Sequence, residues 1–78
     1  MPRELDPPWI TEERQALGSR VRQWRLHANL TQEALRDLSG VERLTIQRIE
    51  SGATDARIGW LLRIARALDV PVARLLGD

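Results

Sequence analysis

The sequence predicts an all-α domain built from five short helices. Two observations carry that reading. Apolar residues recur at spacings of three and four through successive segments, and no segment alternates apolar with polar as a half-buried strand does. The chain also has 78 residues and no cysteine, which allows one modest core and excludes both disulfides and thiolate metal sites. Residues 1–10 read as a flexible N-terminal arm and residues 11–78 as the folded domain.

Met1 to Trp9 holds Pro2, Pro7 and Pro8 with Arg3, Glu4 and Asp6, and it has no periodic face to pack. Arg3 is the tail's single basic residue, a poor basis for a charged contact. Trp9 and Ile10 are expected to anchor the arm on the core or on a partner subunit. Thr11 is the expected N-cap of the first helix, with Glu12 and Glu13 where the helix dipole favours acidic groups. This helix runs to about His27 or Ala28. Leu17, Val21 and Trp24 form its core stripe, and Arg25 lies one step off that stripe. Asn29 suits the C-terminal cap. His27 is expected on the surface near that end, where a positive charge is favoured.

The stretch from Thr31 to Gly52, TQEALRDLSGVERLTIQRIESG, reads as two helices joined by a tight turn. Thr31 caps the second helix, with Gln32 and Glu33 in its first turn. Ala34, Leu35 and Leu38 are expected on its apolar face. Ser39-Gly40 breaks it, Val41 plugs the turn, and a third helix runs from about Glu42 to Glu50 before Ser51-Gly52. Helix, glycine turn and helix in so few residues is the helix-turn-helix pattern. Ile46 and Ile49 must face a core, which leaves Arg43, Leu44, Gln47 and Arg48 together on the other side. Arginine pairs bidentately with guanine, glutamine pairs with adenine, and an apolar group packs on the thymine methyl. For an isolated helix, a merely solvated face is the commoner meaning of such residues. The glycine turn and the helix before it are what favour base recognition.

Asp55 is the expected cap of a fourth helix from about Ala56 to Leu68, with Ile58, Leu61, Leu62, Ala65 and Leu68 on its buried side. Val70-Pro71 opens a last helical turn carrying Val72, Leu75 and Leu76. The C-terminal region thus holds more apolar groups than one small core needs. Trp60, Val72, Leu75 and Leu76 are the candidates for a dimer contact, with Leu75 the first of them to be claimed by the core.

Charge excludes little. Twelve basic and eleven acidic residues leave a formal net charge of +1, so any positive potential that attracts a polyanion must be local. The single histidine rules out a multi-histidine metal site, and no metal or cofactor is expected. A carboxylate pair in a recognisable pocket is also missing, and 78 residues leave little room to enclose a substrate, so an enzyme is not expected. No apolar run approaches the ~18 residues of a membrane span, and the protein is expected in the cytoplasm.

From about Leu17 to Leu76 the chain resembles the lambda-repressor/Cro family of helix-turn-helix regulators. The residues that carry the resemblance are Leu17-Gly18, Val21 and Arg25, then Leu30-Thr31-Gln32-Glu33, Leu35, Gly40-Val41, Ile46 and Ile49-Glu50-Ser51-Gly52. Leu61-Leu62, Ala65, Leu68 and Leu75 match the closing helices. The resemblance implies the five-helix lambda-repressor-like DNA-binding fold, duplex DNA as partner, and a homodimer on a palindromic operator. It also implies roles: base contacts from Arg43, Leu44, Gln47 and Arg48, phosphate contacts from Thr31, Gln32, Thr45 and Ser51, and a structural ion pair between Arg25 and Glu50.

Three residues depart from the family pattern. Arg36 stands where alanine is usual and must lay its stem along the surface. Ala56 stands where a proline commonly precedes the fourth helix. Glu42 brings a carboxylate beside the expected phosphates, which weakens binding unless it caps the helix or accepts from a cytosine amine. Two classes of function follow. One is a sequence-specific transcriptional regulator, read as a repressor. The other is a protein-binding module, such as an antitoxin or accessory factor, that uses the same fold for a protein partner.

Overall fold

A computed structural model describes residues 6–78, so Arg3 and Glu4 of the expected arm lie outside the described residues. The order is α1 (Pro8–His27), α2 (Gln32–Ser39), α3 (Arg43–Ser51), α4 (Ile58–Leu68) and α5 (Val72–Leu75). No strand occurs among the described residues.

Helix α1 starts at Pro8 rather than at Thr11. Proline has no N–H to lose in a first turn and its φ is already helical, so Pro7-Pro8 opens the helix without a side-chain cap. Trp9 and Ile10 therefore sit on a helix. Trp9 remains exposed, while Ile10 lies over a groove shared with Leu17, Ala56 and Leu76. At the other end Ala28 is the cap residue and Asn29 follows in the left-handed region (φ 59°). Asn29 N donates to Leu26 O and Leu30 N to Arg25 O, the paired bonds of a Schellman ending. The same pair of bonds closes α3 through Gly52 and Ala53, and α4 through Asp69 and Val70.

The fourth helix also differs from expectation. It begins at Ile58, after Arg57, with no side-chain cap. Asp55 instead accepts from Arg14 Nη1 at 3.1 Å, which ties the α3–α4 loop to α1. Arg14 reaches Asp6 as well, at 3.0 Å.

Val21, Leu35, Ile46, Ile49, Ile64 and Leu75 are fully buried and come from every helix of the fold. Burying each contributes about 1.5–3 kcal/mol. Helical spacing alone placed some neighbours wrongly. Leu38, Ile58 and Leu62 were expected inside and are more than half exposed, whereas Ile64 fills the core. Spacing defines a stripe but not its centre. In α4 the buried stripe is Leu61, Ile64, Ala65 and Leu68, one position round from the expected one. Leu75 is wholly buried and so cannot belong to a dimer contact.

Helices α1 and α3 touch most closely at Gly18. A Cβ there would overlap the carbonyl oxygen of Ile49 and crowd that of Glu50. Only hydrogen fits, so a glycine sets the depth at which α3 seats and brings Glu50 level with Arg25.

Candidate nucleic-acid interface

The two helices of the motif are held by short-range chemistry. Thr31 Oγ1 accepts from Ala34 N at 3.0 Å and caps α2. Gly40 ends α2 in the left-handed conformation (φ 75°), its N–H bonding Arg36 O at 2.8 Å. Ser39 is buried in the turn, where its Oγ accepts from Val41 N at 3.1 Å. Glu42 precedes α3 without a side-chain cap bond, so its carboxylate stands free at the surface.

Within α3, Ile46 and Ile49 are 0% and 1% exposed, while Arg43, Leu44, Gln47 and Arg48 all face solvent. Four side chains able to read bases therefore lie on a helix whose opposite side is locked into the core. Leu44 is 52% exposed, an apolar group held out in water. Thr45 is half-buried and borders a groove with Glu42, Trp60 and Arg63. Arg43 lies across a second groove from Thr31, Gln32 and Glu33 at the start of α2. The Ser51 Oγ donates to Arg48 O at 3.2 Å, so its proton is used within its own helix.

Behind this face Arg25 grips Glu50 with two bonds. Nε donates to Oε2 at 2.7 Å and Nη2 to Oε1 at 2.9 Å. A third bond runs from Arg25 Nη1 to Leu30 O at 2.8 Å. The two side chains are only 9% and 6% exposed. Hydrogen bonding to Glu50 raises the Arg25 pKa above its ordinary value, against the desolvation that lowers it. The guanidinium therefore stays charged, and the buried carboxylate is never left alone. Gln32 Nε2 also donates to Glu50 Oε1, at 3.2 Å, a contact that sequence reasoning missed. The two residues lie 18 positions apart, and no local pattern signals that the start of α2 meets the end of α3.

Other expected sites fall elsewhere. Arg36 lies in solvent and bonds Asp37 at 2.8 Å. Trp60 is half-buried against the core, with the Arg57 guanidinium 5.1 Å over its ring. Val72 also packs on the core in part, and Leu76 is 54% exposed. Among the described residues no cluster of His, Cys, Asp or Glu could hold a metal.

A five-helix fold with a capped α2, a glycine turn and an outward-reading α3 defines a DNA-binding helix-turn-helix regulator. Comparison with known proteins agrees. A family model described as "Helix-turn-helix domain" matches residues 16–76. The control protein C.SmaI of Serratia marcescens is 33% identical over 63 residues, covering 81% of this chain and 75% of that protein. The crystal structure of the restriction-modification controller protein C.AhdI from Aeromonas hydrophila superposes with a TM-score of 0.80 at 31% identity, over 82% of this chain and 97% of that one. The clp gene regulator ClgR from C. glutamicum gives a TM-score of 0.77 at 26% identity, over 94% of this chain and 90% of that one. The chain belongs to the helix-turn-helix domain family.

Proposed function

We propose that this regulator binds a palindromic operator as a homodimer in the cytoplasm and acts as a repressor, with α3 in the major groove. Arg43, Leu44, Gln47 and Arg48 meet base edges. The observation that carries this reading is the exposure of all four on a helix whose other side is fully buried. Thr31, Gln32 and Thr45 lie toward the phosphates. The Thr31 hydroxyl accepts its cap bond and keeps its own proton for a phosphate, beside the free N–H groups of the α2 end. Ser51 joins them only by giving up its bond to Arg48 O.

The proposed dimer uses the α4 face that carries Ile58 and Leu62, four residues apart and 62% and 51% exposed. Leu76 is a further exposed apolar side chain toward the C-terminal end. Trp60 and Val72 pack on the monomer core instead. The match to the helix-turn-helix family model and the likeness to a control protein and a controller protein support the regulator reading, including the expectation of no catalytic activity.

Selection of binding sites from random duplex DNA, followed by affinity measurements across salt, tests the proposal. The expected result is an inverted-repeat site and a steep negative slope of log affinity against log salt. A protein-binding module is the second reading, favoured by the uncapped Glu42 carboxylate at the start of α3. No selected site and a flat salt response are its signature.

A further inference from the structure

The Glu50 carboxylate joins three helices. It belongs to α3, holds Arg25 of α1 through both oxygens, and accepts a third bond at Oε1 from Gln32 of α2. Gln32 is half-buried, so its amide sits at the rim of the buried pair. The last torsion of a glutamine is soft and two-fold, and its oxygen and nitrogen ends are nearly isosteric. Left alone, such an amide turns either end outward. Only the nitrogen end serves a phosphate, because an amide oxygen and a phosphate oxygen are both acceptors. Glu50 removes the ambiguity: an ionised carboxylate only accepts, so only the NH₂ can meet it. One N–H is used there, and the other has no protein partner among the described residues. The Glu50 charge would by itself repel a nearby phosphate, and the two bonds from Arg25 offset it.

We propose that Glu50 is a positioning residue for DNA binding. It orients the Gln32 amide so that the second N–H faces a backbone phosphate, and it links that phosphate seat to the ion pair that anchors α3. The inference rests on the DNA-binding reading above. Fluorescence anisotropy with a short mixed-sequence duplex tests it through a double-mutant cycle. In the parent protein, Gln32→Ala should weaken binding about tenfold. In an Arg25→Met/Glu50→Leu background, which keeps the site filled and apolar, the same change should weaken binding less than about twofold. Circular dichroism shows that each background is folded before its ratio is used. The salt slope should not change with Gln32→Ala, because a neutral amide displaces no counterion. Equal losses in both backgrounds, or no loss in the parent, overturn the positioning role while DNA binding stands. A parent protein with no salt-dependent affinity for the duplex overturns the DNA-binding reading itself.

Discussion

At the scale of single residues, the proposed recognition and the stability of the fold fall to different arginines. Arg43 and Arg48 are exposed and free to pair with guanine. Replacing either with alanine should reduce affinity for the selected operator by about 1–3 kcal/mol and relax the preference at one base position each. Competition assays against single-base operator variants measure both effects, and an unchanged affinity for Arg48→Ala would mean that α3 lies in the groove in another orientation. Arg25 has the opposite task. Its bidentate bond to Glu50 is buried, so Glu50→Ala strands a guanidinium and should destabilise the fold by about 3–5 kcal/mol. Arg25→Met/Glu50→Leu should be much milder, and urea denaturation compares the two. The raised Arg25 pKa means that its contribution is complete below the ordinary arginine value and is lost only as pH climbs through the folded one. Stability should therefore show no loss from this pair on raising the pH from neutral to about 10. The pair is legible through the family resemblance, and the place of both residues beside apolar stripes on helices that must pack agrees with it. Its third member, Gln32, is not legible, because only the folded chain brings α2 against the end of α3.

At the scale of elements, the ends of the helices are set by backbone chemistry more than by apolar pattern. Thr31, Gly40 and Gly52 are legible in the sequence because a side-chain acceptor and a left-handed turn leave direct marks there. Thr11 and Asp55 do not cap their helices, whose cap residues are Pro7 and Arg57. Pro8 starts α1 ahead of Thr11, and Arg14 takes Asp55 for an ion pair across the chain. Asp69 holds φ 58° at the end of α4, a conformation glycine adopts at less cost. Asp69→Gly should raise stability by up to about 1 kcal/mol in thermal or urea unfolding. Gly18→Ala should do the reverse, and strongly, because its methyl meets the backbone of α3 rather than a side chain that yields. A Gly18→Ala protein that unfolds and binds DNA like the parent would show that α1 and α3 separate without penalty.

At the scale of the whole molecule, the proposed dimer needs a surface on which two copies meet. One helix-turn-helix reads a few base pairs, and a two-fold partner places the second about 34 Å along the same face of the DNA. A symmetric contact needs a self-complementary apolar patch, and Ile58 with Leu62 on α4 supplies the most exposed one on that helix. The patch is small, so the free dimer should dissociate near micromolar, about −8 kcal/mol, and tighten on DNA. Leu62→Glu should shift light scattering to the monomer across a concentration series while leaving the helical content unchanged. A strict monomer that occupies operator DNA singly would remove the dimer and favour the protein-binding reading.

The sequence by itself determined the helical class, the helix–glycine–helix core from Thr31 to Gly52, the inward Ile46 and Ile49, and the four outward residues of α3. These follow from local rules: a 3.6-residue period, a cap that reaches its own backbone, and a glycine that relieves a left-handed turn. Only the tertiary structure decided which edge of each apolar stripe is covered. It buried Ile64 and Leu75, left Leu38, Ile58 and Leu62 in water, and joined Gln32 to Glu50. The reason is physical. Periodicity gives the direction of a face to within about one residue, whereas burial depends on where a neighbouring helix stops, and Gly18 and the long-range polar bonds set that.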